Sequence, residues 1–169
     1  GMAVSKKCLE LGASDVLVLQ LNVMEDESIK ETVKKIIEKF GRIDIVINNA
    51  GIIVWKKFKE QTYEDIENQI RTNFEGLVKM TKECLPYVKG LIINIASGAA
   101  LEGYPDITTY CGTKFAVRGF SQALAQELEE IKVYVGPHIK KKSYIYTFLM
   151  KSLREDKRWK PYITHVGPS

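Results

Sequence analysis

Apolar and polar positions alternate along this chain in two periods, and the two periods take turns. Four short runs are almost wholly apolar: Val16-Leu17-Val18-Leu19-Gln20-Leu21, Ile43-Asp44-Ile45-Val46-Ile47, Leu91-Ile92-Ile93-Asn94-Ile95-Ala96 and Ile131-Lys132-Val133-Tyr134-Val135. Runs of this length, rich in β-branched residues, predict buried strands. Between them the period lengthens towards that of a helix. From Asp26 to Phe40, the residues Ile29, Val33, Ile36, Ile37 and Phe40 form one stripe on a helical surface. Ser28 and Glu31 have the spacing of a capping box, and Gly41 suits the C-terminal stop. Its lysines (Lys30, Lys34, Lys35) are read as a solvated face. A second helix is predicted over Glu64 to Tyr87, with Gly76 inside it and Pro86 near its end, and a third over Thr108 to Glu130. Strands alternating with helices predict an α/β fold with a parallel sheet.

Composition agrees with a soluble globular domain. The chain has 169 residues, enough for one core, and its 45% hydrophobic and 27% charged content is ordinary. No apolar run approaches the roughly 20 residues that span a bilayer, and no signal-peptide pattern opens the chain, so no membrane association is expected. Three scattered cysteines, Cys8, Cys84 and Cys111, point to a reducing cytoplasm and not to a disulfide framework. Cys111 is read as packing filler. Two histidines, His138 and His165, make no ligand cluster, so no metal site is expected. Between Lys140 and Lys160 there are eight Lys or Arg residues against Glu155 and Asp156. Such a segment is able to meet nucleic acid or an acidic surface. We read it as a solvated helix that buries Tyr144, Ile145, Phe148 and Leu149. The expected organisation is a domain over residues 1–139 with a basic segment, 140–169, packed on it.

The chemistry lies in Tyr110-Cys111-Gly112-Thr113-Lys114. A tyrosine and a lysine at i and i+4 share one helical face, a turn apart. A free phenol is a poor acid or base at pH 7, and a neighbouring ammonium favours the phenolate. Ser97 follows the apolar run 91–96, so its hydroxyl is expected at a strand's carboxyl end, where open α/β sheets bind ligands. Tyr-x-x-x-Lys alone arises often by chance. Here it follows Asn48-Asn49-Ala50-Gly51 after one predicted strand, then Asn73, then Ser97. In that order and at those spacings, the residues from about Leu11 to about Val135 resemble the short-chain dehydrogenase/reductase family.

The resemblance implies a Rossmann-like doubly wound parallel sheet in three α/β/α layers, and an NAD(P)-dependent oxidoreductase acting on an alcohol or carbonyl. It implies Tyr110 as catalytic acid/base and Lys114 as the residue that stabilises the phenolate and holds the nicotinamide ribose. Ser97 would polarise the substrate oxygen, and Asn73 would hold a water that links Lys114 to solvent. Asn49, Ala50 and Gly51 would line the adenosine side of NAD or NADP, with Thr72 nearby. Asn22-Val23 matches a family Asp-Val beside the adenine, with the charge lost. The helices carrying Asn73 and Tyr110 would pack on a second subunit in a homodimer or homotetramer. Phe115, Val117, Phe120, Leu124 and Leu128 are read mostly as monomer core. Residues 98–109 would line the substrate side.

The sequence also departs from the family. It has no Gly-x-x-x-Gly-x-Gly or Gly-x-Gly-x-x-Gly segment, the loop that cradles a cofactor pyrophosphate on a helix N-terminus. Residues 1–12 look like the helix before the third family strand, with Gly12 ending it. The first two family strands are therefore expected to be missing, and strand Val16–Leu21 to be left without its usual neighbour. It would pair directly with the strand at 43–47, or another chain would cover the edge, or the sequence is part of a longer protein; the last is preferred because the catalytic motifs are intact. A non-catalytic remnant serving as an interaction subunit is the rival reading. A nucleic-acid binder is a third, and would show salt-sensitive binding independent of Tyr110.

Overall fold

The computed structural model describes residues 2–10 and 12–136. Its elements are α1 (Met2–Glu10), α2 (Asp26–Phe40), β1 (Ile43–Asn48), α3 (Tyr63–Ile70), α4 (Gly76–Cys84), β2 (Val88–Ile95), α5 (Thr108–Glu127) and β3 (Lys132–Gly136). The three strands form one parallel sheet in the order β1-β2-β3, with Asn48 opposite Asn94 and Asn94 opposite Val135. Parallel neighbours require long crossovers, and helices supply both: α3 and α4 between β1 and β2, α5 between β2 and β3.

The stripe on α2 does what its spacing predicts. Ile29, Val33 and Ile36 are buried and meet Val46 and Ile92 of the sheet together with Met80, Cys84 and Leu124 of α4 and α5. Each such side chain contributes roughly 1.5–3 kcal/mol when taken fully out of water. The opposite face of the sheet carries a separate apolar set, Leu91, Ile93 and Ile95 with Ile45 and Ile47. Gly41 ends α2 at φ 76°, its N–H bonded to Ile37 O at 2.8 Å. Gly12 follows α1 at φ 95°.

Four expectations are corrected. Residues Val16–Leu21 form no strand and do not pair with β1. Leu17, Leu19 and Leu21 still pack on the core. Their alternation buries one side, but a strand exists only through a hydrogen-bonded neighbour. Ser28 and Glu31 form no capping box, because α2 starts at Asp26 and Ser28 already lies in its first turn. The Ser28 hydroxyl instead accepts from Asn22 N–H at 3.0 Å. The long helix predicted to end at Tyr87 begins with a capping box between Thr62 and Asp65 and is interrupted by a π turn at Arg71–Glu75, where Gly76 N–H reaches Arg71 O. Last, α5 stops at Glu127, since Leu128 turns extended. The basic segment 140–169 lies outside the described residues.

Candidate active site

Lys114 and Tyr110 project from one face of α5. The Lys114 ammonium sits 5.5 Å from the Tyr110 ring centroid and donates to Ile95 O at 2.9 Å. Only 4% of Lys114 is exposed, and burial pulls its pKa down from 10.5 to about 8. An ammonium is costly to bury, so it has to be held by acceptors and π faces of this kind. Ile95 closes β2. Two residues on, Ser97 is extended and its hydroxyl accepts from Ala99 N–H at 3.2 Å, opening a 3-10 turn at Gly98–Ala100. Ala99 packs with Ile107, Cys111 and Tyr110, and Arg118 of α5 donates to Ala100 O at 3.3 Å. The strand end that carries Ser97 is thereby fastened to the helix that carries Tyr110.

Asn73 reaches the same place from the π turn. It is fully buried; its Oδ1 accepts from Ile52 N–H at 2.7 Å, and its Nδ2 donates to Ile52 O at 2.8 Å and to Thr113 Oγ1 at 3.1 Å. Thr113 in turn donates to Tyr110 O at 2.7 Å. Gly51 lies between these groups: a Cβ built there would stand 3.4 Å from Asn73 Oδ1 and 3.6 Å from Lys114 Nζ. Asn73, Lys114 and Gly51 are thus neighbours in space. Both amide hydrogens of Asn73 are taken by protein atoms.

Of the residues expected on the adenosine side, Val23, Asn49 and Ala50 come together at a second place, while Gly51 stands beside Lys114. Val23, Asn48, Asn49, Ala50, Gly76, Leu77 and Met80 line a shallow depression on the helix side of β1. Val23 is pressed onto α4 so closely that a Cβ at Gly76 would stand 2.7 Å from Val23 O. Thr72 is buried beside Asn73 in the π turn. Asn22 is turned into its own loop: its Oδ1 accepts from Met24 N–H at 3.1 Å and its Nδ2 donates to Glu25 at 2.8 Å. Asparagine is common in such turns because its side chain mimics a backbone carbonyl.

Sequence reasoning missed a polar chain beneath the site. Asn48 Nδ2 donates to Thr81 Oγ1 at 2.9 Å and Asn94 Oδ1 at 2.8 Å, Asn94 Nδ2 donates to Ser121 Oγ at 2.8 Å, and Ser121 donates to Val117 O at 2.7 Å. It ties two strands to two helices through buried groups with every partner in place. The available signal was Asn94 inside the apolar run 91–96 and Asn48 at the end of the run 43–47. Gln69, also fully buried, was missed as well.

Comparison with known proteins gives the family and the fold. The chain matches the family model described as short chain dehydrogenase over residues 1–158. It is 40% identical to an uncharacterized oxidoreductase of Schizosaccharomyces pombe over 125 residues, 72% of this chain and 53% of that protein. With the 3-ketodihydrosphingosine reductase of Bacteroides thetaiotaomicron it shares 39% over 124 residues, 71% of this chain and 46% of that one. Among solved structures, the alcohol dehydrogenase of Thermococcus sibiricus complexed with 5-hydroxy-NADP superposes with a TM-score of 0.78 at 22% identity, covering 97% of this chain and 80% of that one. The chain belongs to the short-chain dehydrogenase/reductase family of oxidoreductases, with its Rossmann-like parallel α/β fold. It spans about half the length of the curated relatives it matches.

Proposed function

We propose that this chain supplies the catalytic half of an NAD(P)-dependent oxidoreductase that interconverts an alcohol and a carbonyl. The observation that carries the reading is Lys114: a buried ammonium beside the Tyr110 ring, held by Ile95 O and facing Gly51. Reducing a carbonyl puts negative charge on its oxygen, which calls for donors and a proton source at that atom. In this reading Ser97 Oγ and Tyr110 Oη donate to the substrate oxygen, and Tyr110 delivers the proton. Lys114 supplies fixed positive charge behind the phenol, and Asn73 holds the Gly51 segment against it.

The residues fit a nicotinamide cofactor at two points. An ammonium has three donors and Ile95 O takes one, which suits it to ribose hydroxyls. Gly51 leaves clear the space that a Cβ would occupy next to that ammonium. Val23, Asn49 and Ala50 would hold the adenosine end in the depression on α4. When bound, the cofactor supplies the hydride that no side chain carries. The sequence contains no glycine-rich phosphate loop.

The proposal includes a homodimer or homotetramer formed through α3 and α5, as the family resemblance implies. It includes a cytoplasmic location, supported by the free thiols of Cys8, Cys84 and Cys111. No described helix is long and apolar enough to cross a membrane. Titration with NADH and NADPH, read by nicotinamide fluorescence, tests the core of the reading. Saturable binding that weakens in Lys114→Met is expected. No binding at millimolar cofactor would overturn it in favour of a non-catalytic subunit.

A further inference from the structure

The segment that follows Gly51 has no regular structure and bends at Lys56, yet alternate residues of it are pinned by hydrogen bonds. Ile52 gives its N–H and C=O to Asn73 at 2.7 and 2.8 Å. Val54 N–H donates to Gln69 Oε1 at 3.2 Å. Lys56 N–H donates to Asp106 O at 2.9 Å. Gln69 is wholly buried, and its Nε2 donates to Asp65 O at 3.0 Å, which fixes its amide the right way round.

The geometry explains why two amides four residues apart serve one segment. Four helical residues rise about 6 Å. Two residues of extended chain advance about 6.6 Å. Gln69 and Asn73 therefore meet Val54 and Ile52 in reverse order, as rungs between a helix and an edge. The third rung lands on Asp106, whose φ of 65° is the one left-handed non-glycine backbone among the described residues. Asp106 lies immediately before the N-terminal cap of α5, four residues ahead of Tyr110. Gln61 adds a brace between the same loops, donating to Lys56 O at 3.2 Å and accepting from Thr109 Oγ1 at 2.7 Å.

We infer that Gln69 is a positioning residue of the candidate active site, the middle rung that sets the 51–56 segment against Lys114 at one end and against the entry of α5 at the other. This rests on the oxidoreductase reading only for its catalytic consequence; the clamp is testable without it. The hydrogen bonds of Gln69 go to Val54 and Asp65, not to Tyr110 or Lys114. It acts through Val54, and so through Gly51 and Asp106, which flank both.

The test uses two variants of the full chain. Gln69→Met fills the same space without either hydrogen bond. Gln69→Glu, held neutral by burial, keeps an oxygen facing Val54 N–H and a hydroxyl that donates to Asp65 O. Amide hydrogen exchange in the cofactor-free protein is expected to rise about tenfold or more at Ile52, Val54 and Lys56 together in Gln69→Met, as loss of a buried partner implies. Exchange in β2 should stay unchanged, and Gln69→Glu should restore protection at Val54. Where turnover is measurable, Gln69→Met should lower kcat and raise the cofactor KM, with Gln69→Glu closer to wild type. Exchange that rises at Val54 alone, or kcat and KM equal to wild type in Gln69→Met, would overturn the inference. A wild-type chain with an intact clamp and no cofactor binding would sink the oxidoreductase reading and leave the clamp standing.

Discussion

Lys114 is the described residue whose surroundings differ most from water in a way that bears on proton transfer. Burial depresses its folded-state pKa to about 8 from 10.5. The neutral amine is therefore favoured by folding, and the stability it contributes is full above pH 10.5. That contribution falls as pH drops through the window and is lost below about 8. The expected slope is about 1.4 kcal/mol per pH unit between those values. Urea unfolding of wild type and Lys114→Met across pH 7 to 11 checks it: the difference in stability should grow in favour of wild type only above about 8. A flat difference would mean that the ammonium is better solvated than its burial implies. The Tyr110–Lys114 pair was legible because i, i+4 spacing survives any packing. Asn73 stood out only as a place in a motif. Its hydrogen bonds to Ile52 and Thr113 depend on segments that sequence does not bring together.

At the level of elements, hydrophobic pattern found α2, both helical crossovers and all three strands to within a few residues, the helices through an apolar stripe and β2 through a run buried on both faces. It could not find the π turn at Arg71–Glu75, because a single widened turn is too short to carry a period of its own. It misread Val16–Leu21, because alternation reports a buried side and not a pairing partner. Gly76 shows how local propensity yields to packing. Alanine in a helix is worth about 1 kcal/mol over glycine. A Cβ at Gly76 would meet Val23 O at 2.7 Å and Val23 Cβ at 2.8 Å, so the loop must move. Overpacking of this kind costs about 1–3 kcal/mol. Gly76→Ala is expected to lower the urea midpoint, whereas Gly119→Ala in α5, with nothing within 4 Å of its Cβ, should raise it by roughly 0.5–1 kcal/mol in stability. Stabilisation by both would show that the Val23 contact gives way freely.

For the molecule as a whole, α2, α4 and α5 share one core while the sheet's other face carries its own apolar set. Ile70 of α3 and Phe115 of α5 are each 44% exposed, and Tyr63 is 92% exposed. These belong to the helices that the proposed subunit contact uses. Phe115→Glu combined with Ile70→Lys is expected to shift sedimentation velocity from dimer or tetramer to monomer without loss of helical circular dichroism. An unchanged sedimentation coefficient would place the contact elsewhere.

The rungs at Ile52, Val54 and Lys56 make this stretch sensitive to parity. The bonded amides fall on every second residue, so removing one residue between Ile52 and Lys56 would put the rungs on its two sides out of phase. Removing two would shorten the segment by one rung and keep the rest in phase. Length changes beyond Lys56, in the exposed turn at Lys57–Glu60, would leave the phase untouched. Natural insertions and grafted loops should therefore be tolerated after Lys56 and refused, one residue at a time, before it.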